Sequence, residues 1–351
     1  MNVEQESALF AVESVESVEN VEVVKAVEAV GGAESVDDAA AGADPELEAI
    51  LAWFLALPHH ETRFAQVFRQ SIDEVLDGQR TQRFDLSVKT GEGRVEKTEK
   101  TYLGTKVEIV ARAAFELGYG KPMDYLVEGV NVDAKWTSDK TWTIPQEAMG
   151  HLCLLMRADD AKRFFQVGLL RISKDVLTSG KNGDGKLSVS AAGKERIRWI
   201  VEQGTLPQNF LLRLKQEHPE KVAAVFHASD GHRGPGNGGQ LRINELFRQV
   251  AGELVDRNTA LTVATQQDGP KRVRDARKHL RPEGYVILGH YKPEPQIAAD
   301  LGLPVPAKGS WVSAKLAVAG DGDDRPATEI DGVRYVLWRE GDAPVEAPTL
   351  G

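Results

Sequence analysis

Glu108, Asp124, Asp133 and Lys135 fall within one stretch of the chain. Asp133 and Lys135 are two apart, so in a strand both side chains leave the same face. The segment MDYLVEGVNVDAKWT, residues 123–137, reads as two short β-runs around Glu128-Gly129. With those two residues as a hairpin turn, Asp124 lies opposite Asp133, because equal steps lead back from the turn to each. Two facing carboxylates with a lysine alongside suit a hard divalent cation such as Mg²⁺, which takes oxygen ligands and keeps waters. They also suit phosphodiester hydrolysis, in which a metal activates water and stabilises charge on the phosphate.

The surrounding elements must hold these groups in place. Residues 103–117 have helical spacing, with Leu103, Val107, Val110, Ala111, Ala114 and Leu117 on one stripe. Thr101, Thr105, Glu108 and Arg112 share another, which puts Glu108 on the polar face just ahead of the hairpin. Continuous apolar runs at 148–158 and 164–173 read as buried strands, joined by a solvated turn at Asp159-Asp160. Residues 190–203 read as a helix. Upstream, Asp44-Pro45 has the form of a helix start, cap and first residue, and helical spacing continues to residue 78 with a break at His59-His60. The polar segment 78–106 is rich in Lys and Arg and reads either as a phosphate-contacting surface or as a solvated loop. The glycine-rich loop 179–186, with Lys181 and Asn182, reads either as a groove-contacting loop or as a plain connection.

Composition narrows the class. The 351 residues suffice for two ordinary domains. The net charge of −10 is held by residues 1–44, whose eight Glu, three Asp and one Lys alone give −10, so the remainder is close to neutral. This extension has a loose Val-Glu-Ser repeat and reads as mostly disordered, or as a DNA-mimicking or partner-binding arm. The single cysteine, Cys153, excludes an intrachain disulfide and a cysteine zinc cluster; its apolar run makes it a buried, inert thiol. No apolar run is long enough to span a membrane and no secretion signal opens the chain, so the expected location is the cytoplasm.

A second pattern lies at 242–290. Two helices, about 243–257 and 260–266, precede a third that Pro270 opens. The third, PKRVRDARKHLR, carries Lys271, Arg272, Arg274, Arg277 and Lys278 around an apolar stripe of Val273, Ala276 and Leu280. A strand at 283–289 follows, and further strands fall near 311–318 and 329–339. Three helices, the last strongly basic, then a β-element suggest a winged helix-turn-helix that binds DNA.

A helix Glu ahead of a strand pair carrying Asp and Asp-x-Lys resembles the nuclease core of the PD-(D/E)xK fold. The resemblance extends further. The runs EKTEKTYLGTKVEIV and DYLVEGVNVDAKWT, with the downstream winged-helix-like module, are similar to the NaeI-type restriction endonucleases. The likeness covers residues 45 to about 320 and is sharpest at 95–137. It implies an α/β (α+β) fold: a restriction-endonuclease-like mixed sheet flanked by helices, with a second, CAP-like winged-helix domain. It also implies Mg²⁺-dependent cleavage of double-stranded DNA at a GC-rich palindrome, a homodimer, and stimulation by a second DNA copy on the C-terminal domain. The family's catalytic positions fall on Glu108, Asp124, Asp133 and Lys135. Asp124, Asp133 and the carbonyl of Ala134 are the implied metal ligands. A lysine beside two carboxylates is expected to act by its charge rather than as a base. The chain departs from the family in its acidic extension and in having Ala134 between Asp133 and Lys135.

The expected organisation is an acidic extension (1–44), an endonuclease domain (45–200), a DNA-binding domain (201–340) and a tail (341–351). The alternatives are a repair or nicking nuclease on the same core, and a winged-helix regulator with an inert nuclease-like hairpin.

Overall fold

The structure, a computed structural model, describes residues 44–91, 93–180, 183, 185–231, 238–266 and 268–350. The disorder expected of the acidic extension, apart from Asp44, and the DNA contacts expected of Lys181 and Asn182 fall outside those residues.

The first half of the described chain builds a six-stranded sheet with helices packed on it. Helix α1 (Pro45–Ala56) opens as expected, with Asp44 accepting the Leu47 N–H at 3.1 Å and Pro45 in the first turn. Helix α2 (His60–Leu76) and the single turn α3 (Gly78–Thr81) follow, then α4 (Lys97–Phe115). Helix α4 starts six residues before its apolar stripe does. Glu99 accepts the Glu96 N–H at 2.8 Å and so satisfies the start of a polar first turn. The next elements are β1 (Gly118–Tyr119), β2 (Tyr125–Val127), β3 (Val130–Thr137), β4 (Thr143–Ile144), β5 (Leu152–Asp159), β6 (Phe164–Arg171), β7 (Leu187–Ser188), the short helix α5 (Ala191–Glu195) and β8 (Arg198–Thr205). The sheet order is β1-β2-β3-β5-β6-β8, and β4 pairs with β7 apart from it. Strands β3 and β5 are parallel; the other neighbours are antiparallel.

Residues 190–203, expected to be helical, are instead a five-residue helix and a strand. The edge of β6 offers an unpaired ladder, and β8 fills it with Val201 buried against the core. Pairing has outweighed local spacing here. Strand β8 therefore runs through residue 200.

The second half contains α6 (Phe210–Glu217), α7 (Pro219–His227), α8 (Gly238–Gln249), β9 (Leu254–Asp256), α9 (Arg257–Ala264), α10 (Gly269–Leu280), β10 (Tyr285–Leu288), α11 (Glu294–Asp300), β11 (Ser310–Val318), β12 (Ala327–Ile330) and β13 (Val333–Leu337). Strand β11 pairs with β9, β10 and β13. Helices α8, α9 and α10 with a β9-β11-β10 sheet have the order and pairing of a winged helix. Val273, Ala276 and Leu280 of α10 are fully buried, as their spacing predicts. Among the described residues no helix is long and apolar enough to cross a membrane.

Asp160 is not solvated, contrary to the sequence expectation. Arg69 of α2 reaches it at 2.7 Å and Asp73 at 2.6 Å, and Asn209 reaches Asp73 at 3.3 Å. Burial pushes both aspartates up from their ordinary values, and the guanidinium between them offsets it. The cluster joins α2, the β5–β6 turn and the start of α6. Arg69→Met is expected to cost about 3–5 kcal/mol at neutral pH, since it leaves buried charge without a partner. Part of the loss should return at pH 5, where the carboxylates take up protons. Urea unfolding at the two pH values measures both effects.

Candidate active site

The hairpin forms as its sequence requires. Glu128 and Gly129 both have positive φ, 49° and 79°, the two-residue turn that matches strand twist. Val127 pairs with Val130, Leu126 with Asn131 and Tyr125 with Val132. The next step along this register sets Asp124 against Asp133. Alternation sends Tyr125, Val127, Val132 and Ala134 into the core beneath the helices. It sends Asp133 and Lys135 to the opposite face, where Cys153 and Leu155 are their parallel neighbours on β5. Those two belong to a separate apolar cluster with Trp142, Ile144 and Leu170.

Asp133 is therefore 7% exposed, an acid held in a mostly apolar wall. Lys135 Nζ lies 2.6 Å from its Oδ2 and 3.2 Å from the Ala134 carbonyl oxygen. The Cys153 thiol donates to the same Oδ2 at 3.6 Å. Asp124 Oδ2 accepts the Ala134 N–H at 2.8 Å, just past the end of β2. Burial first, and then the neighbouring Asp124, push Asp133 up to about 6. Burial also pushes the Cys153 thiol well up, so that thiol stays protonated, in keeping with the inert role expected from sequence. Its place under Asp133 was not legible from the sequence.

Glu108 projects from α4 toward this cluster without joining it. Arg112, one helical turn on, donates to Glu108 Oε1 at 2.8 Å and to the Asp124 carbonyl oxygen at 3.2 Å. The Tyr125 hydroxyl donates to the Glu108 carbonyl oxygen at 3.0 Å. Burial and the charge of Asp124 raise Glu108, against the pull of Arg112. The one signal of this link along the chain is the Glu108–Arg112 spacing of four on a helix.

The basic helix divides into two sets. Lys271, Arg274 and Lys278 are exposed along one stripe of α10 and hold no side-chain partner among the described residues. Arg272 and Arg277 are engaged internally. Arg277 makes a two-pronged pair with the buried Glu294, at 2.9 and 2.7 Å, and Arg272 reaches Gln266 in the turn before α10. The basic segment 78–106 is likewise occupied in part: Arg83 pairs with Glu99 at 2.6 Å, and Lys106 with Glu74.

A mixed sheet with an Asp/Asp-x-Lys cluster at a hairpin, followed by a winged-helix-like module, defines a nuclease of the PD-(D/E)xK class. The sequence model of the family described as "Restriction endonuclease NaeI" matches residues 49–346. The type II restriction enzyme NaeI of Lentzea aerocolonigenes is 39% identical over 315 residues, covering 88% of this chain and 96% of that protein. The chain belongs to the NaeI restriction endonuclease family. It is a DNA-hydrolysing enzyme, and the family's chemistry depends on a divalent metal.

The donor set fits such an ion. Among the described residues no three His, Cys, Asp or Glu side chains form a metal-binding cluster. Mg²⁺, however, is commonly held through one or two carboxylates with waters completing its shell. Two carboxylates crowded enough to raise Asp133 offer surplus negative charge that a cation relieves. Asp133 holds its proton more tightly folded than unfolded, so its contribution to stability is full below about 4 and is lost as pH rises through about 6. In chelator, Asp133→Asn should therefore gain stability over the parent above pH 6. The gain should vanish near pH 4, as followed by thermal melting.

Proposed function

We propose that this chain is a type II, IIE-like restriction endonuclease that cuts double-stranded DNA at a GC-rich palindrome with Mg²⁺ as its metal. The observation that carries the reading is the opposition of Asp124 and Asp133 across the hairpin, with the Lys135 ammonium 2.6 Å from Asp133. Asp124, Asp133 and the Ala134 carbonyl are the groups that would hold the ion. When bound, it polarises the phosphate and lowers the pKa of a water at neutral pH. Lys135 Nζ, 2.6 Å from Asp133 Oδ2, is placed to donate to the scissile phosphate or to the attacking water. There it offsets charge that develops in the transition state. Glu108, fixed on α4, orients the Asp124 side of the site. In-line attack by water leaves 5′-phosphate and 3′-hydroxyl ends.

The endonuclease part, in this reading, ends after β8 at Thr205, and the DNA-binding part begins with α6. The exposed stripe Lys271, Arg274 and Lys278 engages phosphates of a second, effector duplex, while Arg272 and Arg277 brace the helix that carries it. A palindrome read by two-fold symmetry calls for a homodimer.

Two measurements test this reading. Asp133→Ala and Lys135→Ala should each abolish Mg²⁺-dependent plasmid cleavage yet bind DNA like the parent in a gel-shift titration. Full cutting by either variant removes the site assignment, and nicking without palindrome preference points to a repair nuclease. The triple variant Lys271→Ala, Arg274→Ala, Lys278→Ala should weaken effector binding. Its slope of log affinity against log salt should flatten by about 2–3, near one per lost phosphate contact. An unchanged slope assigns the effector duplex to another surface.

A further inference from the structure

Arg112 sits where the helix and the hairpin meet. Its guanidinium spans Glu108 Oε1 and the main-chain carbonyl of Asp124. It lies 4.4 Å from the ring centre of Tyr119 and 5.5 Å from that of Tyr125. The side chain is 16% exposed, and its Nε is buried without a hydrogen-bond partner. The Tyr125 hydroxyl closes the same junction from the other side, through the Glu108 carbonyl. One link further on, the Asp124 carboxylate takes the Ala134 N–H, next to both Asp133 and Lys135.

We propose that Arg112 is a positioning residue for DNA cleavage: its planar fork holds the Asp124 main chain and the Glu108 carboxylate as one unit. It thereby sets where the Asp124 carboxylate stands against Asp133. The inference rests on the active-site reading above. Stability alone is a poor reason for this arginine. Desolvating a guanidinium and stranding its Nε costs more than an apolar side chain would at the same junction. What the arginine supplies is geometry, since donors in a rigid plane can meet a side-chain and a main-chain oxygen together while the face stacks on aromatic rings. Lysine offers a charge without that fork. Residues that orient metal-holding groups typically change metal affinity or activity by about 10–100-fold when replaced.

The test uses the full chain with Arg112→Gln, Arg112→Lys and Asp133→Asn. Mn²⁺ binding without DNA is followed by calorimetry, single-turnover plasmid cleavage is followed against Mg²⁺ concentration, and DNA affinity is followed by anisotropy in Ca²⁺. Arg112→Gln should raise the Mn²⁺ dissociation constant or lower the saturating rate by about 10–100-fold. DNA affinity should stay within about threefold. Arg112→Lys should resemble Arg112→Gln rather than the parent, and it carries the test alone if Arg112→Gln does not melt cooperatively. A folded Arg112→Gln with parental Mn²⁺ binding and rate overturns the proposal, as does full rescue by lysine. Should Asp133→Asn cut like the parent, the active-site reading itself falls. An inert Asp133→Asn beside a fully active Arg112→Gln removes only the role given to Arg112.

Discussion

Two carboxylates that repel each other stand side by side at the hairpin, one of them buried, and the six-stranded sheet is organised around that cost. Asp133 is pushed up to about 6 because its strand position faces an apolar cluster and because Asp124 stands opposite. An isolated ionised carboxylate in such a wall is unfavourable by several kcal/mol unless charge or hydrogen bonds reach it. Lys135 and the Cys153 thiol supply that compensation on the same oxygen, so the lysine meets the buried carboxylate's demand for positive charge.

Geometry decides whether that demand becomes chemistry. The two-residue turn at Glu128-Gly129 fixes the register, and a one-residue slip would send Asp133 and Lys135 into the core face and Val132 out of it. The parallel β3–β5 pairing then places Cys153 and Leu155 beside Asp133 and Lys135 rather than solvent. Helix α4 approaches from the other face, so Glu108 can meet the site only around the sheet edge, at the level of Asp124.

Much of this was legible in the sequence because it is local. Hairpin register, alternation along β3, the caps of α1 and the stripe of α10 each follow from residues within a few positions of one another. What was not legible depends on partners far apart in the chain. The edge of β6 turned an expected helix at 190–203 into β8. Arg69 buried Asp160, and Glu294 took Arg277 from the set of available cations. Cys153 reads as core by composition and is core, yet its neighbour across the sheet is the buried acid Asp133. Charges counted along a sequence overstate what is free to bind DNA, because the fold pairs some of them first.

The same principle extends to the joint between the two halves. Helix α3 packs against α9, so closely that a Cβ on Gly78 would lie 2.3 Å from Thr262 Oγ1 and 2.8 Å from the Arg83 carbonyl oxygen. Gln82 donates to Thr265 Oγ1 at 2.9 Å and Gln79 to the Gln266 carbonyl oxygen at 3.2 Å. Thr265 and Gln266 form the turn that leads α9 into the basic helix α10. The turn that leads into α10 is thus also the surface against which α3 rests. Close-packed contacts of this kind do not yield gradually. A displacement of α10 must either be absorbed within that turn or be passed to α3, which lies between α2 and the segment leading into α4.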